Sequence, residues 1–296
     1  MKNKFSLISY SILAVLFGLG VSSVIVYGSR FIVSGTSVTS AATLLYDATA
    51  SGHSSGGVLR AYYLKSDAAP LPDINARAFV VADLLTGDIL LQKGLDKPYP
   101  IASVTKLATA QVALNMSLQD SDLLYPLLLE SNNQTAESIA ATFGRQTFLQ
   151  NMNDFVSKLG MTHTHFADPS GISPRNVASV RDLLTLTQYI YKNAPDLLDL
   201  TLVPSKDKWQ NNNLFVQEHQ ANYLGGKSGY TPEAKGTLVS VFALPLPAPR
   251  SLDGVGAGDE LRPVVVILLG TDSKMGVKYE VSQSIIDYVL ANVYFK

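Results

Sequence analysis

Cysteine is absent from the 296 residues. That excludes a disulfide frame, a thiol nucleophile and a cysteine-bound metal, and it leaves the redox compartment open. Charge is scarce too. Charged residues make up 16% of the chain and the formal net charge is −1, which argues against nucleic acid as the main partner. There are four histidines. His163 and His165 sit two apart, but no third ligand and no H-E-x-x-H accompany them, so a zinc peptidase has little to build on. Trp209 is the single tryptophan. It reads as packing, as do Tyr189 and Tyr191, because no periodic aromatic box surrounds them. What the chain does hold is apolar bulk, 47% of it, enough for a sizeable core in one large domain or two small ones.

Part of that bulk lies at the N-terminus. "FSLISYSILAVLFGLGVSSVIVYGSRFIV" runs from Phe5 to Val33 with Arg30 as its only charge. As a helix, Phe5 to Tyr27 is about 35 Å long, enough for a bilayer core of roughly 30 Å. Lys2 and Lys4 precede it, so the positive-inside rule keeps the N-terminus cytoplasmic and exports the rest. The expectation is a cytoplasmic tip and transmembrane anchor over residues 1–33 of a single-pass cell-membrane protein whose main body is extracytoplasmic. A cleaved signal peptide is the rival, although its apolar region is usually shorter. Residues 34–75 are rich in Ser, Thr, Gly and Ala and read as a flexible linker, spanning roughly 35 Å on average. "VLRAYYL" (58–64) is apolar enough to pack on the domain that follows.

From Ala76 to the end, residues 76–296, the pattern is globular. "AFVVADLLTGDILLQ" predicts two strands around a turn at Thr86-Gly87-Asp88. A helix is expected from about Ser103 to Asn115, then helix, polar loop and helix up to Gly144. Another amphipathic helix closes at Gly160, and one more opens with a Ser179/Asp182 capping box and ends before Pro195. Three strands follow Ala221, and a last helix runs from about Val277 to Val293. Strands at both ends flanking a run of helices make an α+β layout in which the N-terminal strands rejoin the C-terminal sheet.

Within this frame, "IASVTKLATA" places Ser103 and Lys106 three apart, on one face of a helix. By itself the pair also fits a helix start, with Ser103 as cap and Lys106 snorkelling to water. As a site, Ser103 is a nucleophile and Lys106 its base. Acyl transfer further needs an oxyanion hole, a proton path to the leaving group and something to hold the substrate. Ser131-Asn132-Asn133 in the polar loop and Lys227-Ser228-Gly229 on a strand could supply these. The order S-x-x-K, S-x-N, K-[ST]-G is a set shared by penicillin-binding proteins and class A β-lactamases.

The chain resembles the low-molecular-mass penicillin-binding proteins, the serine D-alanyl-D-alanine carboxypeptidases and endopeptidases. "ARAFVVADLLTGDILLQKGLDKPYPIASVTKLATA", "LLYPLLLESNNQTAESIA", "HFADPSGISPRNVASVRDLLTLTQYI" and "GGKSGYTPEAKGTLVSV" carry the likeness across about Ala76 to Phe295. It implies a β-lactamase-like fold: an antiparallel sheet flanked by helices, with a helical subdomain. It implies a serine hydrolase needing no cofactor, with peptidoglycan stem peptides as substrate and β-lactam antibiotics as covalent inhibitors. Ser103 would attack, Lys106 take its proton, and Ser131 relay a proton to the leaving amine. Asn133 would hold Lys106 and the substrate amide. Lys227 would supply positive potential and Ser228 bind the terminal carboxylate. The N–H groups of Ser103 and Tyr230 would form the oxyanion hole. Gly229 would let the substrate lie along the strand, and Arg262 would bind carboxylate.

Three departures stand out. Ser228 replaces the commoner Thr. Ser103 and Ser131 lie only 28 positions apart, fewer than the family leads one to expect. No C-terminal β-domain or membrane helix is expected, the N-terminal span taking the anchor's place. Two alternatives remain: a wall-binding or scaffolding protein with this fold and little turnover, or a β-lactamase. The second lacks a suitably placed Glu-x-x-x-Asn, since Glu218 and Asn222 lie too near Lys227.

Overall fold

The computed structural model describes residues 62–65, 67–246, 260–272 and 276–295. The expected anchor, and the linker up to residue 61, lie outside them. Among the described residues no helix is long and apolar enough to cross a membrane.

Five antiparallel strands form the central sheet. In chain order they are β2 (Ala78–Asp83), β3 (Ile89–Lys93), β4 (Tyr223–Thr231), β5 (Lys235–Leu246) and β6 (Glu260–Thr271). Their spatial order is β3-β2-β6-β5-β4, so the N-terminal strands do rejoin the C-terminal ones. Strand side chains alternate between faces, and here both faces are apolar. Val80, Ala82, Val239, Val241, Val265 and Ile267 point into a core shared with the helices. Phe79, Val81, Leu238, Phe242, Val264 and Val266 point into a second core. That second face is covered by the last helix, α5 (Val277–Asn292), through Ile285, Ile286 and Val289.

Four longer helices carry the other side: α1 (Thr105–Asn115), α2 (Asn133–Thr142), α3 (Arg145–Lys158) and α4 (Val180–Asn193). Every residue of α1 from Thr105 to Ala113 is buried, as befits a helix packed on all sides. α3 buries one stripe, Phe148, Met152 and Val156, at four-residue spacing. α4 starts where expected, its Ser179 hydroxyl accepting from the Asp182 N–H. The reciprocal half of the expected capping box is not made. The Asp182 carboxylate instead accepts from the His163 N–H and the Thr164 hydroxyl, tying the incoming loop to the helix start.

Residues before Ala76 also take part in the domain. Tyr62–Leu64 forms β1, paired antiparallel with β7 (Val293–Phe295), and Ile74 is buried in the second core. The last part of the expected linker therefore belongs to the domain, since its backbone pairs with β7 and its Ile74 enters the second core.

Asp83 ends β2. Its carboxylate accepts from the N–H groups of Leu85 and Thr86 and from Arg262 Nε at 2.8 Å. Both partners of this ion pair are buried. Removing one partner leaves the other charge uncompensated, which costs about 3–5 kcal/mol. Arg262→Met and Asp83→Leu should each lower the unfolding midpoint in urea. The double variant should be more stable than the sum of the two losses predicts, which equilibrium denaturation measures.

Candidate active site

The nucleophile sits on a forced turn. Ala102–Val104 makes one 3-10 turn ahead of α1, with Ala102 at φ 48°, a left-handed conformation uncommon for alanine. Three attachments hold it. The Ile101 N–H donates to the Asn176 carbonyl, and the Thr237 hydroxyl donates to the Ile101 carbonyl. Two glycines then press on the turn. A Cβ on Gly171 would lie 1.9 Å from the Ala102 carbonyl oxygen; one on Gly229 would lie 2.7 Å from the Ser103 nitrogen. The N-cap of α1 is Val104, with no side-chain cap, so the Ser103 hydroxyl is not spent on capping.

Lys106 is wholly buried. Its Nζ lies 2.9 Å from Ser103 Oγ, 2.7 Å from Asn133 Oδ1 and 2.6 Å from the Ser170 carbonyl oxygen. Burial lowers its pKa to about 7, against the opposing pull of Asp168. At that value the neutral amine is well populated near pH 7. A neutral amine has two N–H donors and one lone pair. Asn133 and Ser170 take the donors, which leaves the lone pair for the Ser103 hydroxyl.

The turn that carries Ser170 is built on one carboxylate. Asp168 accepts from the N–H groups of Ser170, Gly171 and Ser173 and from the Ser170 hydroxyl. Burial would raise the Asp168 pKa; the bonds from Ser173, Ser170 and Gly171 outweigh it and hold the group below the usual carboxylate value. Asn176 locks the turn to α1, its amide donating to Thr105 Oγ1 and to the Asp168 carbonyl. A charged turn residue thus fixes both a carbonyl on Lys106 and a glycine under Ser103.

The Ser131 loop supplies the opposite wall. Asn132 is the N-cap of α2, accepting from the Thr135 N–H, so the ordinary capping role falls to the middle residue of the triplet. Its neighbours face the site. Asn133 holds Lys106, and Ser131, at φ 62°, keeps a buried hydroxyl without a hydrogen-bond partner. On the edge strand β4, Lys227 is buried and donates to the Ser228 carbonyl. Burial pushes its pKa well down, and repulsion from Lys106 and Lys278 adds to the effect. Tyr230 is half exposed.

Ser103, Lys106, Asn133 and Gly229 are brought into direct contact, and Ser131 and Lys227 flank them. Two expectations change. Gly229 makes room for the nucleophile's own turn, since its missing Cβ would strike Ser103 and Thr237. Arg262 is not at the site. It is paired with Asp83, and seven residues of β6, roughly 24 Å at 3.4 Å per residue, separate it from Leu269, the partner of Thr237. Asp168, Ser170, Gly171 and Asn176 were given no role from sequence, although Asp-Pro-Ser-Gly is turn chemistry in itself. His163 and His165 stand apart: one ring is beside Asp182 and the other residue bridges to Val177.

The Lys106 ammonium should titrate with a midpoint near 7, which NMR of the chain labelled at lysine Cε measures. Asp168 favours the charged amine, so Asp168→Asn should move that midpoint down.

A family profile described as D-alanyl-D-alanine carboxypeptidase matches residues 112–243. A D-alanyl-D-alanine endopeptidase of Haemophilus influenzae is 29% identical over 204 residues, 56% of this chain and 70% of that protein. A D-alanyl-D-alanine carboxypeptidase of Mycobacterium tuberculosis is 28% identical over 212 residues, 59% of this chain and 72% of its own length. Among solved structures, a penicillin-binding protein homolog from Mycobacterium tuberculosis superposes with a TM-score of 0.65 at 23% identity, covering 77% of this chain and 96% of its own. Penicillin-binding protein D2 of Listeria monocytogenes, solved in its cefotaxime-bound form, gives 0.62 at 23%, with 74% and 99% covered. At these identities the structures speak for the fold, while the profile and the relatives speak for descent. Sequence, fold and motif order agree in what the chain is similar to: the D-alanyl-D-alanine carboxypeptidases and endopeptidases among the low-molecular-mass penicillin-binding proteins.

Proposed function

We propose that the protein is a serine D,D-peptidase acting on peptidoglycan stem peptides, as a D-Ala-D-Ala carboxypeptidase or a D,D-endopeptidase. One observation carries the reading: an amine buried to a pKa of about 7 lies 2.9 Å from a serine hydroxyl on a clamped turn. Ser103 Oγ attacks the carbonyl carbon of the D-alanyl bond as Lys106 takes its proton. The N–H groups of Ser103 and Tyr230 receive the oxyanion. Ser131, whose hydroxyl has no other partner, hands its proton to the departing amine and takes in return the one Lys106 received from Ser103, so both groups end as they began. An ester on Ser103 remains, and water releases it. Lys227 and Ser228 hold the carboxylate that follows the scissile bond. A β-lactam enters the same path, but its opened ring stays attached and blocks water.

The apolar segment from Phe5 to Tyr27 would anchor this domain on the outer side of the cell membrane. Curated relatives carry both the carboxypeptidase and the endopeptidase names, and digestion of defined muropeptides separates the two activities.

Intact mass of the full chain in detergent, after incubation with benzylpenicillin, should show one adduct of the drug's mass. Ser103→Ala should abolish it without changing the circular dichroism; persistent labelling would remove Ser103 as nucleophile. Lys106→Ala should slow acylation by several orders of magnitude. In the wild type, acylation should rise with pH through about 7 and level off above it, because the base acts when neutral. A folded protein that forms no adduct and consumes no drug would favour a binding or scaffolding role.

A further inference from the structure

Three consecutive asparagines, Asn211-Asn212-Asn213, connect the two walls of the site. The middle one reaches the Ser131 wall. The Asn212 N–H donates to the Leu129 carbonyl at 3.1 Å, and its side-chain amide donates to the Glu130 carbonyl at 2.9 Å. These are the last two carbonyls before Ser131, whose φ of 62° is a conformation uncommon for serine. The preceding residue helps, the Gln210 N–H donating to the Glu130 carboxylate at 3.3 Å.

The flanking asparagines reach the other wall. The Asn211 amide donates to the Thr201 carbonyl at 2.8 Å, and the Thr201 hydroxyl accepts from the Gly226 N–H at 2.9 Å. Gly226 immediately precedes Lys227 on β4. The Asn213 amide donates to the Tyr223 hydroxyl, at the start of the same strand. Asn211 also accepts from the Asn213 N–H, and Asn213 from the Phe215 N–H, so the triplet is itself held in shape. Amide side chains suit such a bridge because each donates and accepts at once.

Burial divides the triplet. Asn211 and Asn213 are buried, whereas Asn212 is exposed. Water can satisfy a carbonyl at an exposed position, so the bond from the Asn212 side chain to Glu130 adds little stability. Water cannot fix the distance between two walls. Proton transfer needs heavy atoms about 2.6–3.2 Å apart, and a misplacement of about 1 Å costs on the order of a hundredfold in rate.

We propose that Asn212 is a positioning residue that holds Ser131 at proton-transfer distance from the leaving amine, with Asn211 and Asn213 referring it to the strand of Lys227. The assignment rests on the D,D-peptidase reading and on Ser131 as the proton donor.

The test uses leaving groups that differ in their need for a proton. On the full chain, kcat/KM is measured for a diacylated Lys-D-Ala-D-Ala peptide, whose leaving amine must be protonated, and for its thiolester analogue, whose thiolate departs without a proton. Ser131→Ala should lower the peptide-to-thiolester ratio sharply. Asn212→Ala and Asn212→Asp, which both lack the donor, should lower it roughly ten- to a hundredfold. The double variant Ser131→Ala/Asn212→Ala should lose no more of the ratio than Ser131→Ala, because one residue acts through the other. Thermal melting and circular dichroism establish that each variant is folded. Asn212 variants that lose both substrates equally, or keep the wild-type ratio, overturn the proposal, and so do additive losses in the double variant. A Ser131→Ala protein that keeps the ratio overturns the proton relay. A wild type that neither labels with benzylpenicillin nor cleaves either substrate overturns the D,D-peptidase reading. The assignment falls with either.

Discussion

A lysine amine sealed from water beside a serine hydroxyl is the constraint around which this domain is arranged. Sealing it requires α1 to be buried on every side, which is why that helix has no polar stripe. Keeping it useful requires polar partners that leave the lone pair to Ser103. Those partners come from two distant stretches, Asn133 at the start of α2 and the Ser170 carbonyl. Each is itself fixed, the first by the Asn132 cap and the second by the Asp168 carboxylate. The helical side of the molecule is in this sense a holder for one nitrogen atom.

The sheet contributes position. Its two apolar faces allow helices to pack on both sides, and β4 stands at its edge with no further strand beside it among the described residues. The edge strand comes within contact of the nucleophile's turn because position 229 has no side chain. Strand and turn are then pinned by the Thr237 hydroxyl reaching the Ile101 carbonyl. A preorganised site of this kind needs little rearrangement when substrate arrives, which is where electrostatic catalysis gains most.

Much of this was legible in the residues. Apolar periodicity marked the helices and strands well, because burial on defined faces dictates it. The three motifs were readable because their chemistry demands particular side chains in a particular order. Other features were hidden for physical reasons. Asp168 acts through backbone N–H groups and a carbonyl, and such contacts leave no side-chain pattern. Lys278 lies some fifty residues beyond Lys227, and only the packing of α5 against the sheet makes them neighbours. Arg262 looked functional because its place before an apolar strand matches, in the resemblance, that of a carboxylate-binding arginine. Its partner, Asp83, is on a strand 179 residues away in sequence, and pairing of β2 with β6 brings them together. Strand β1 was obscured for a similar reason: Tyr62–Leu64 is too short to announce itself without its mate at the other end of the chain.

That mate has a consequence for handling the protein. β1 and β7 form their own two-stranded sheet, and the residues just after β1 are stitched to the end of α5. The Lys65 N–H donates to the Asn292 carbonyl, the Ala69 N–H to the Asn292 side chain, and the Tyr288 hydroxyl to the Ala69 carbonyl. Trimming the chain back to residue 70 would strip all of these and leave Val293–Phe295 as an open strand edge. Open apolar edges recruit strands from other molecules. A shortened domain would therefore tend to self-associate through Val293–Phe295, and recombinant versions should begin upstream of Tyr62.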